Sequence, residues 1–284
     1  GRKGAEAALI PNFAVEPQHN LLGNIPWTMY VDAVGIHNGS PFNYHFSGFA
    51  VGKKVDLLGN HIESYIALPA HGYAEFGTPG PGDFQIAAIG LGTNRFTDRG
   101  VQLQGLQEVY RNPNFTYLDP WGGPHDLTIW RTTTEIPDEM IRPLAPVGSL
   151  SQGQIVSFAG HSRLAISGVG RQPDTGDSYG GNGRVDDFVS FNLTAADHRS
   201  FFYSVNTSTF PWNAASETGG SGSWVLDSEG RLVGMVVGVT DPFNSAVLSR
   251  FTSFTDFTRD PAGGYRSQVD PFSGIQVVPE PSAL

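Results

Sequence analysis

Residues 217–239 read ETGGSGSWVLDSEGRLVGMVVGV, and this stretch combines a glycine-rich turn with two strand-like runs. The runs at 223–226 and 232–239 are rich in β-branched, aromatic and other apolar residues, which is typical of strands. With 36 glycines and 20 prolines, the chain favours many short strands joined by turns over a helical bundle. The other predicted strands are 30–36, 44–51, 62–68, 84–91, 127–131, 154–160, 188–193, 201–205 and 246–251.

Ser221 lies between Gly220 and Gly222 in this turn. A serine between glycines can hold its hydroxyl clear of the backbone and leaves N–H groups free to point at an oxyanion. Acyl transfer needs both features from a nucleophile loop. Taken alone, a Gly-Ser run is more typical of a flexible turn.

Two other segments supply the partners that such a serine needs. Residues 64–72 form an apolar run that ends in small residues and then His71, which predicts a buried strand delivering an imidazole to a cleft edge. Residues 124–131 place Asp126 at the start of a strand with alternating apolar and polar residues. The order His, Asp, Ser is one of several known for the serine triad. Asp126 alone could equally cap a turn.

At these motifs the chain resembles the trypsin/chymotrypsin family of serine endopeptidases. Residues 67–71, ALPAH, resemble the family's Thr-Ala-Ala-His segment, and residues 219–223, GGSGS, resemble its Gly-Asp-Ser-Gly-Gly. Segments that resemble other family motifs, in the family's order, are 111–115, 125–130, 232–236 and 245–248. The similarity covers roughly residues 30–258.

The resemblance implies an all-β fold of two six-stranded antiparallel β-barrels, with the active site in the cleft between them. We expect an N-terminal extension over residues 1–20, a first barrel over 21–148 and a second over 149–260. Residues 143–149, at the boundary between the two expected barrels, are predicted to connect them.

The resemblance also implies roles for individual residues. Ser221 would be the nucleophile, His71 the general base and Asp126 the residue that orients the histidine. Backbone N–H groups of Gly219 and Ser221 would form the oxyanion hole. The reaction implied is hydrolysis of protein or peptide substrates by a monomer, without a cofactor or metal.

The expected substrate pocket is lined by Ala215, Ser216, Val237 and Gly238. Ala215 stands where trypsin carries its pocket-floor aspartate, so a demand for arginine or lysine has no obvious counter-charge. Glu217 is the nearest acid. We therefore expect an apolar residue before the scissile bond, with the 237–239 backbone able to pair with an extended substrate.

Gly220 departs from the family, which usually has aspartate before the nucleophile. In trypsin-like zymogens that aspartate pairs with the newly cut N-terminal amine and orders the oxyanion loop. Gly220 cannot make that ion pair, so we expect no requirement for activation cleavage or a free N-terminus. The alternative is a poorly formed, inactive oxyanion hole.

Other histidines compete with His71 for the role of base. His61 follows a predicted hairpin tip, whereas His71 ends an apolar strand, which favours His71. His125 would face away from Asp126 in an extended segment. His45 and His161 lie within strand-like runs, where we expect structural roles.

Composition excludes several classes of function. A net charge of −10 argues against nucleic acid or an anionic membrane as partner. The absence of cysteine excludes disulfides, a thiol nucleophile and thiolate metal sites. Animal members of the family are usually disulfide-stapled, so the resemblance is to bacterial members. No apolar run approaches 18 residues, so no membrane span is expected within this sequence.

The last residues, 261–284, are rich in glycine, proline, serine and glutamine and are predicted to be a linker. Residues 278–284, VPEPSAL, resemble the start of the PEP-CTERM sorting signal of Gram-negative bacteria, in which a transmembrane anchor follows. This resemblance implies a secreted or cell-surface protein. A proline-rich tail without that function is the alternative.

Three alternative interpretations stay open. The chain could be a non-catalytic surface or matrix binding module that kept the trypsin-like scaffold. Hydrolysis of esters or lipids fits less well, because residues 219–223 do not form a Gly-x-Ser-x-Gly elbow. The acidic, glycine-rich loop at 174–187 could hold Ca²⁺, or it could border the substrate cleft.

Overall fold

The structure is a computed structural model that describes residues 28–37, 40–74, 84–111, 126–161, 165–166, 170–171, 173–190, 198–204, 220–239, 250–259 and 264–279. Strands dominate these residues, so the predicted all-β class is confirmed. The strands are β1 (Met29–His37), β2 (Ser40–Val55), β3 (His61–Leu68), β4 (Phe84–Leu91), β5 (Val101–Gln102), β6 (Gln107–Arg111), β7 (Thr128–Thr132), β8 (Ile155–His161), β9 (Ala165–Ile166), β10 (Gly170–Arg171), β11 (Ser178–Ser190), β12 (His198–Ser204), β13 (Trp224–Leu226), β14 (Leu232–Val239), β15 (Arg250–Asp256) and β16 (Gly274–Val277). The helical elements are α1 (His71–Ala74), α2 (Tyr265–Val269) and 3-10 turns at Asp138–Met140 and Asp270–Phe272.

The first half of the chain forms one sheet in the order β5-β4-β1-β2-β3-β7-β6. These neighbours are antiparallel, and β16 adds a parallel partner to β2. The long β2 changes partner along its length, pairing with β1 up to Gly48 and with β3 from Phe49 onward. β3 is therefore an inner strand with β2 and β7 on either side. Its end is held firmly by paired neighbours.

The second half forms a closed barrel of six strands in the order β11-β12-β15-β14-β13-β8. Buried apolar side chains of β8, β11, β13, β14 and β15 pack together in one core cluster. Representative members of this core are Val156, Phe158, Val225, Val233 and Phe254.

The expectation of two six-stranded barrels is not met in the first half, where the described strands form an open sheet of eight. β5 is only two residues long, and the chain turns away at Gly105, which has a positive φ of 62°. Between β4 near one end of the sheet and β7 near the other, isolated backbone hydrogen bonds replace a continuous strand ladder. Leu103 N–H donates to Ile89 O, and Thr133 N–H donates to Gln104 O.

A shared apolar cluster lies between the sheet and the barrel. It combines sheet residues such as Phe49 and Tyr65 with barrel residues such as Trp224 and Met235. The free energy of burying such side chains, about 25 cal/mol per Å², holds the two halves together.

A polar link at Ser47 joins β2 to the barrel strand β8. His161 N–H donates to Ser47 Oγ at 2.8 Å, and Ser47 Oγ donates to His161 O at 3.2 Å. The approach is close, because a Cβ on Gly160 would lie 2.5 Å from Ser47 Oγ. The link therefore fixes the position of β2 against the barrel strand β8.

Both predicted connecting segments make defined contacts with the rest of the protein. The predicted connector, 143–149, is itself paired with the barrel, since Leu232 N–H donates to Pro143 O and Ala145 N–H donates to Leu232 O. The predicted linker is wrong for residues 264–279, which fold into α2, a 3-10 turn and β16. Their sequence has no regular apolar periodicity, and their secondary structure depends on contacts with both halves of the chain.

Candidate active site

His71 is presented at the end of β3. The last five residues of β3 are buried, and Pro69, which cannot donate to a sheet ladder, follows the strand directly. Gly72 N–H then donates to Pro69 O in the turn that begins α1. His71 is 8% exposed, so most of the residue is buried.

Asp126 is delivered to the same edge by β7. Leu68, the last residue of β3, pairs with Thr128, the first residue of β7. The residues after β3 and before β7 therefore lie side by side, although they are far apart in the sequence. Asp126 is fully buried there.

Two hydrogen bonds join these residues. Asp126 Oδ1 accepts from His71 N–H at 2.8 Å, and Asp126 Oδ2 lies 2.6 Å from His71 Nδ1. Because a carboxylate accepts, Nδ1 carries the proton and the lone pair of the neutral ring is on Nε2. The pair can therefore orient the ring as a general base through Nε2.

Asp126 makes a third hydrogen bond, through its backbone N–H. Its N–H donates to the hydroxyl oxygen of Tyr265 at 3.0 Å. Tyr265 lies in the segment that was predicted to be a linker. That segment has no apolar periodicity, so no sequence pattern indicated its contact with Asp126.

The Ser221 turn lies against the edge that carries His71. Ser223 N–H donates to Gly220 O at 2.9 Å, and Gly222 has a positive φ of 87°. Ser47 N–H donates to Ser221 O at 2.7 Å, which ties the turn to β2.

Gly222 shows how closely the turn approaches the first sheet. A Cβ at this position would lie 1.8 Å from Ser47 O and 2.8 Å from Pro69 Cδ. Pro69 is two residues before His71. Glycine is therefore required both by the backbone conformation and by the contact.

The remaining expected site residues divide into two groups. Gly219, Ala215 and Ser216 lie outside the described residues. The side chain of Val237 is 1% exposed and packs in the cluster between sheet and barrel. Gly238 has no side chain, and it pairs with Ser253 next to a β-bulge.

The competing histidines occupy different surroundings. His61 begins β3 and lies about 23 Å from the other end of the strand, at about 3.3 Å per residue. Its Nε2 contacts Ser64 Oγ at 2.9 Å. His45 Nδ1 lies 3.6 Å from an Asp174 oxygen. His125 lies outside the described residues.

His161 is buried between the sheet and the barrel. Its Nε2 lies 2.9 Å from Gly92 O, and its Nδ1 lies 3.2 Å from Gly176 O. Burial lowers the pKa of His161 to about 4, against the opposite effect of the two carbonyls. The nearby Arg95 guanidinium lowers this pKa further, and Asp32 raises it. We assign the single proton of the neutral ring to Nε2, which makes the shorter contact.

Two carboxylates of the acidic loop considered for Ca²⁺ are bound by residues outside that loop. Asp174 forms an ion pair with Arg95, and Asp177 accepts from Asn94 Nδ2 at 2.7 Å. Within the part of the chain that the structure describes, no group of three or more histidine or acidic side chains could hold a metal ion.

The comparisons with known proteins add no family assignment. No family model matches the chain, and no curated protein matches its sequence significantly. Among the described residues, no helix has the length and apolar character needed to cross a membrane.

Proposed function

We propose that this chain is a serine endopeptidase of the trypsin type. The observation that carries the proposal is the doubly hydrogen-bonded pair of His71 and Asp126, at the same edge as the Ser221 turn. A serine on a glycine turn beside an oriented histidine–carboxylate pair is the arrangement that nucleophilic acyl transfer uses.

In this mechanism Ser221 Oγ attacks the scissile carbonyl carbon while His71 Nε2 takes its proton. The C–N bond then breaks, and the leaving amine receives the same proton from His71. Asp126 holds the histidine tautomer and stabilises the transient imidazolium. Water, activated by the same nitrogen, hydrolyses the acyl-enzyme and regenerates Ser221. His71 must be neutral to accept the first proton, so activity falls in acid.

The backbone N–H groups of Gly219 and Ser221 would stabilise the oxyanion of the tetrahedral intermediate. Removing one such donor costs on the order of 10²–10³ in turnover in comparable sites. Ala215 and Ser216 would leave the specificity pocket uncharged and favour an apolar residue before the scissile bond. A substrate strand would pair with the backbone near Gly238.

The same proposal includes the finer architecture and location. The hydrogen bonds through Leu103 and Gln104 support a first sheet that curves towards closure, as a two-barrel enzyme with a cleft requires. The VPEPSAL tail at 278–284 supports a secreted or surface-attached protein. The proposed enzyme is a monomer that acts on proteins or peptides and uses no cofactor.

The test is covalent labelling with a fluorophosphonate, followed by peptide mapping. We expect labelling at Ser221 in the folded protein and none after denaturation. Ser221→Ala should abolish the labelling, whereas Ser223→Ala, two residues further along, should keep it.

Absence of labelling in protein with a normal melting transition would contradict the proposal. That outcome would favour the alternative, a non-catalytic binding module, for which Gly220 is the supporting feature because it lacks the acid that orders the oxyanion loop in trypsin-like enzymes. Labelled protein would next be given a panel of short chromogenic peptides. A preference for arginine or lysine would contradict the uncharged pocket.

A further inference from the structure

Residues 264–279, here called the strap, follow the second barrel and return to the first sheet. α2 and a 3-10 turn lead into β16, which pairs in parallel with β2 from Gly52 to Val55. Val278 N–H extends the pairing by donating to Val55 O at 2.9 Å. The strap therefore connects the two halves at a second place on β2, further along the strand than the Ser47 link.

The strap packs closely against the first sheet at a glycine of β2. A Cβ on Gly52 would lie 2.2 Å from Phe272 O and 2.5 Å from Gly274 O, so only glycine allows this approach. The Phe272 ring packs edge-on against Tyr65, with ring centroids 5.2 Å apart. Both contacts belong to a specific docking interaction and not to a loosely attached tail.

One strap residue reaches the candidate site. Tyr265 is 1% exposed, and its ring packs near Phe257 in the cluster between sheet and barrel. Its hydroxyl oxygen accepts from the N–H of Asp126, which is fully buried. A buried N–H without a hydrogen-bond partner is destabilising, so the position of Asp126 depends on the strap.

The geometry points to the strap as a control element of the active site. Docking at Gly52 brings the Tyr265 hydroxyl to Asp126, Asp126 then holds His71, and undocking releases the pair. Tyr265 touches no reacting atom in this scheme and acts as a positioning residue. The inference rests on the proposed function, because it concerns the regulation of the same site.

Tyr265→Phe tests the hydrogen bond, since it removes the hydroxyl and keeps the ring. Gly52→Ala tests docking, since its Cβ collides with the strap backbone. Tyr30→Phe is the matched control, because Tyr30 is also a fully buried tyrosine of this protein, but its hydroxyl contacts Arg99 and Gln102 instead.

Two readouts are needed. The first is the proton resonance of His71 Nδ1–H, which is strongly deshielded while the proton lies between Nδ1 and Asp126. The second is the rate of fluorophosphonate labelling at Ser221 as a function of pH. We expect Tyr265→Phe to shift or broaden the resonance and slow labelling about tenfold, the equivalent of one buried hydrogen bond. Gly52→Ala should do the same and also raise hydrogen exchange at the Val278 amide. Tyr30→Phe should leave both readouts as in the wild type.

A wild-type resonance and labelling rate in Tyr265→Phe would overturn the inference and leave the strap a purely structural segment. This conclusion stands even if Gly52→Ala fails to fold, because it depends on Tyr265→Phe alone. If the wild type is not labelled at all, the proposed function fails, but the His71 Nδ1–H resonance still tests whether the strap controls the His71–Asp126 pair. A resonance altered in Tyr265→Phe supports control of the His71–Asp126 pair by the strap, and an unaltered one excludes it.

Discussion

Replacing His161 by glutamine should change how the stability of this protein responds to acid. His161 is buried between Tyr30, Gly92 and Gly176, and its backbone N–H holds the Ser47 link between sheet and barrel. With a pKa of about 4, the ring is neutral in the folded protein at pH 5 and above. In the unfolded chain the same ring takes up a proton near pH 6.5.

The sign and size of the effect follow from these two values. The unfolded state binds more protons between pH 6.5 and about 4, so the contribution of His161 to stability is complete above pH 6.5 and is lost as the pH falls towards 4. At 1.36 kcal/mol per pKa unit the full loss is roughly 3 kcal/mol. Between pH 7 and pH 4.5, the contribution of His161 to the free energy of unfolding should fall by about 2.5 kcal/mol.

The assay is urea unfolding at pH 7 and pH 4.5 for the wild type and His161→Gln. Carboxylates also titrate in this range, and comparison of the two proteins removes their contribution. At pH 7 the variant should be the less stable by about 1–3 kcal/mol, because it loses ring packing and a buried hydrogen bond. This deficit should shrink or reverse at pH 4.5.

The matched control is His61→Gln, at a partly exposed ring whose pKa burial also lowers. Its deficit should change with pH much less than that of His161→Gln. Parallel pH dependence of the wild type and His161→Gln would refute the reasoning. It would mean that His161 is charged in the folded protein and donates from both nitrogens to the carbonyls of Gly92 and Gly176.

Three further predictions concern the site. Gly222→Ala should lower the free energy of unfolding by about 2–4 kcal/mol and suppress labelling of Ser221, because a Cβ at φ 87° collides with Ser47 O. Gly148 also has a positive φ, 76°, but open space around it, so Gly148→Ala should lower the free energy of unfolding by only about 1 kcal/mol in the same denaturation curves. Asp126→Asn should slow peptide hydrolysis about 10⁴-fold with a nearly unchanged melting temperature, because an amide stabilises the wrong histidine tautomer; activity within tenfold of the wild type would contradict the proposed triad. Extending the amino terminus by a few residues should leave Ser221 labelling intact, and loss of labelling would show that a free terminus orders the oxyanion loop.

The strands that sequence reasoning identified well are those with continuous apolar runs, such as β3, β4 and β14. It found only the last residues of β11, Ser178–Ser190, because that strand begins with the glycine-rich run SYGGNGR, which carries no alternating pattern. It missed β16 for a related reason. Four residues of mixed polarity become a strand only because Gly52 leaves room for their backbone beside β2.

The candidate site divides in the same way. His71, Asp126 and Ser221 were predicted from short motifs, because each follows or precedes a local pattern of apolar residues and glycine. No local pattern indicated Tyr265, whose partner Asp126 is 139 residues away. Nor did any pattern indicate that Ser47 joins the two halves.

The amino-acid sequence by itself determined the all-β class, the position of most strands and the residue types at the candidate site, because alternation of apolar residues and the placement of glycine act over a few neighbouring residues. Only the tertiary structure decided that the described strands of the first half form an open sheet, that residues 264–279 dock on it, and that Tyr265 supports Asp126. These contacts join residues that are remote in the chain, and their stability depends on the fit of surfaces that exist only after both elements have folded.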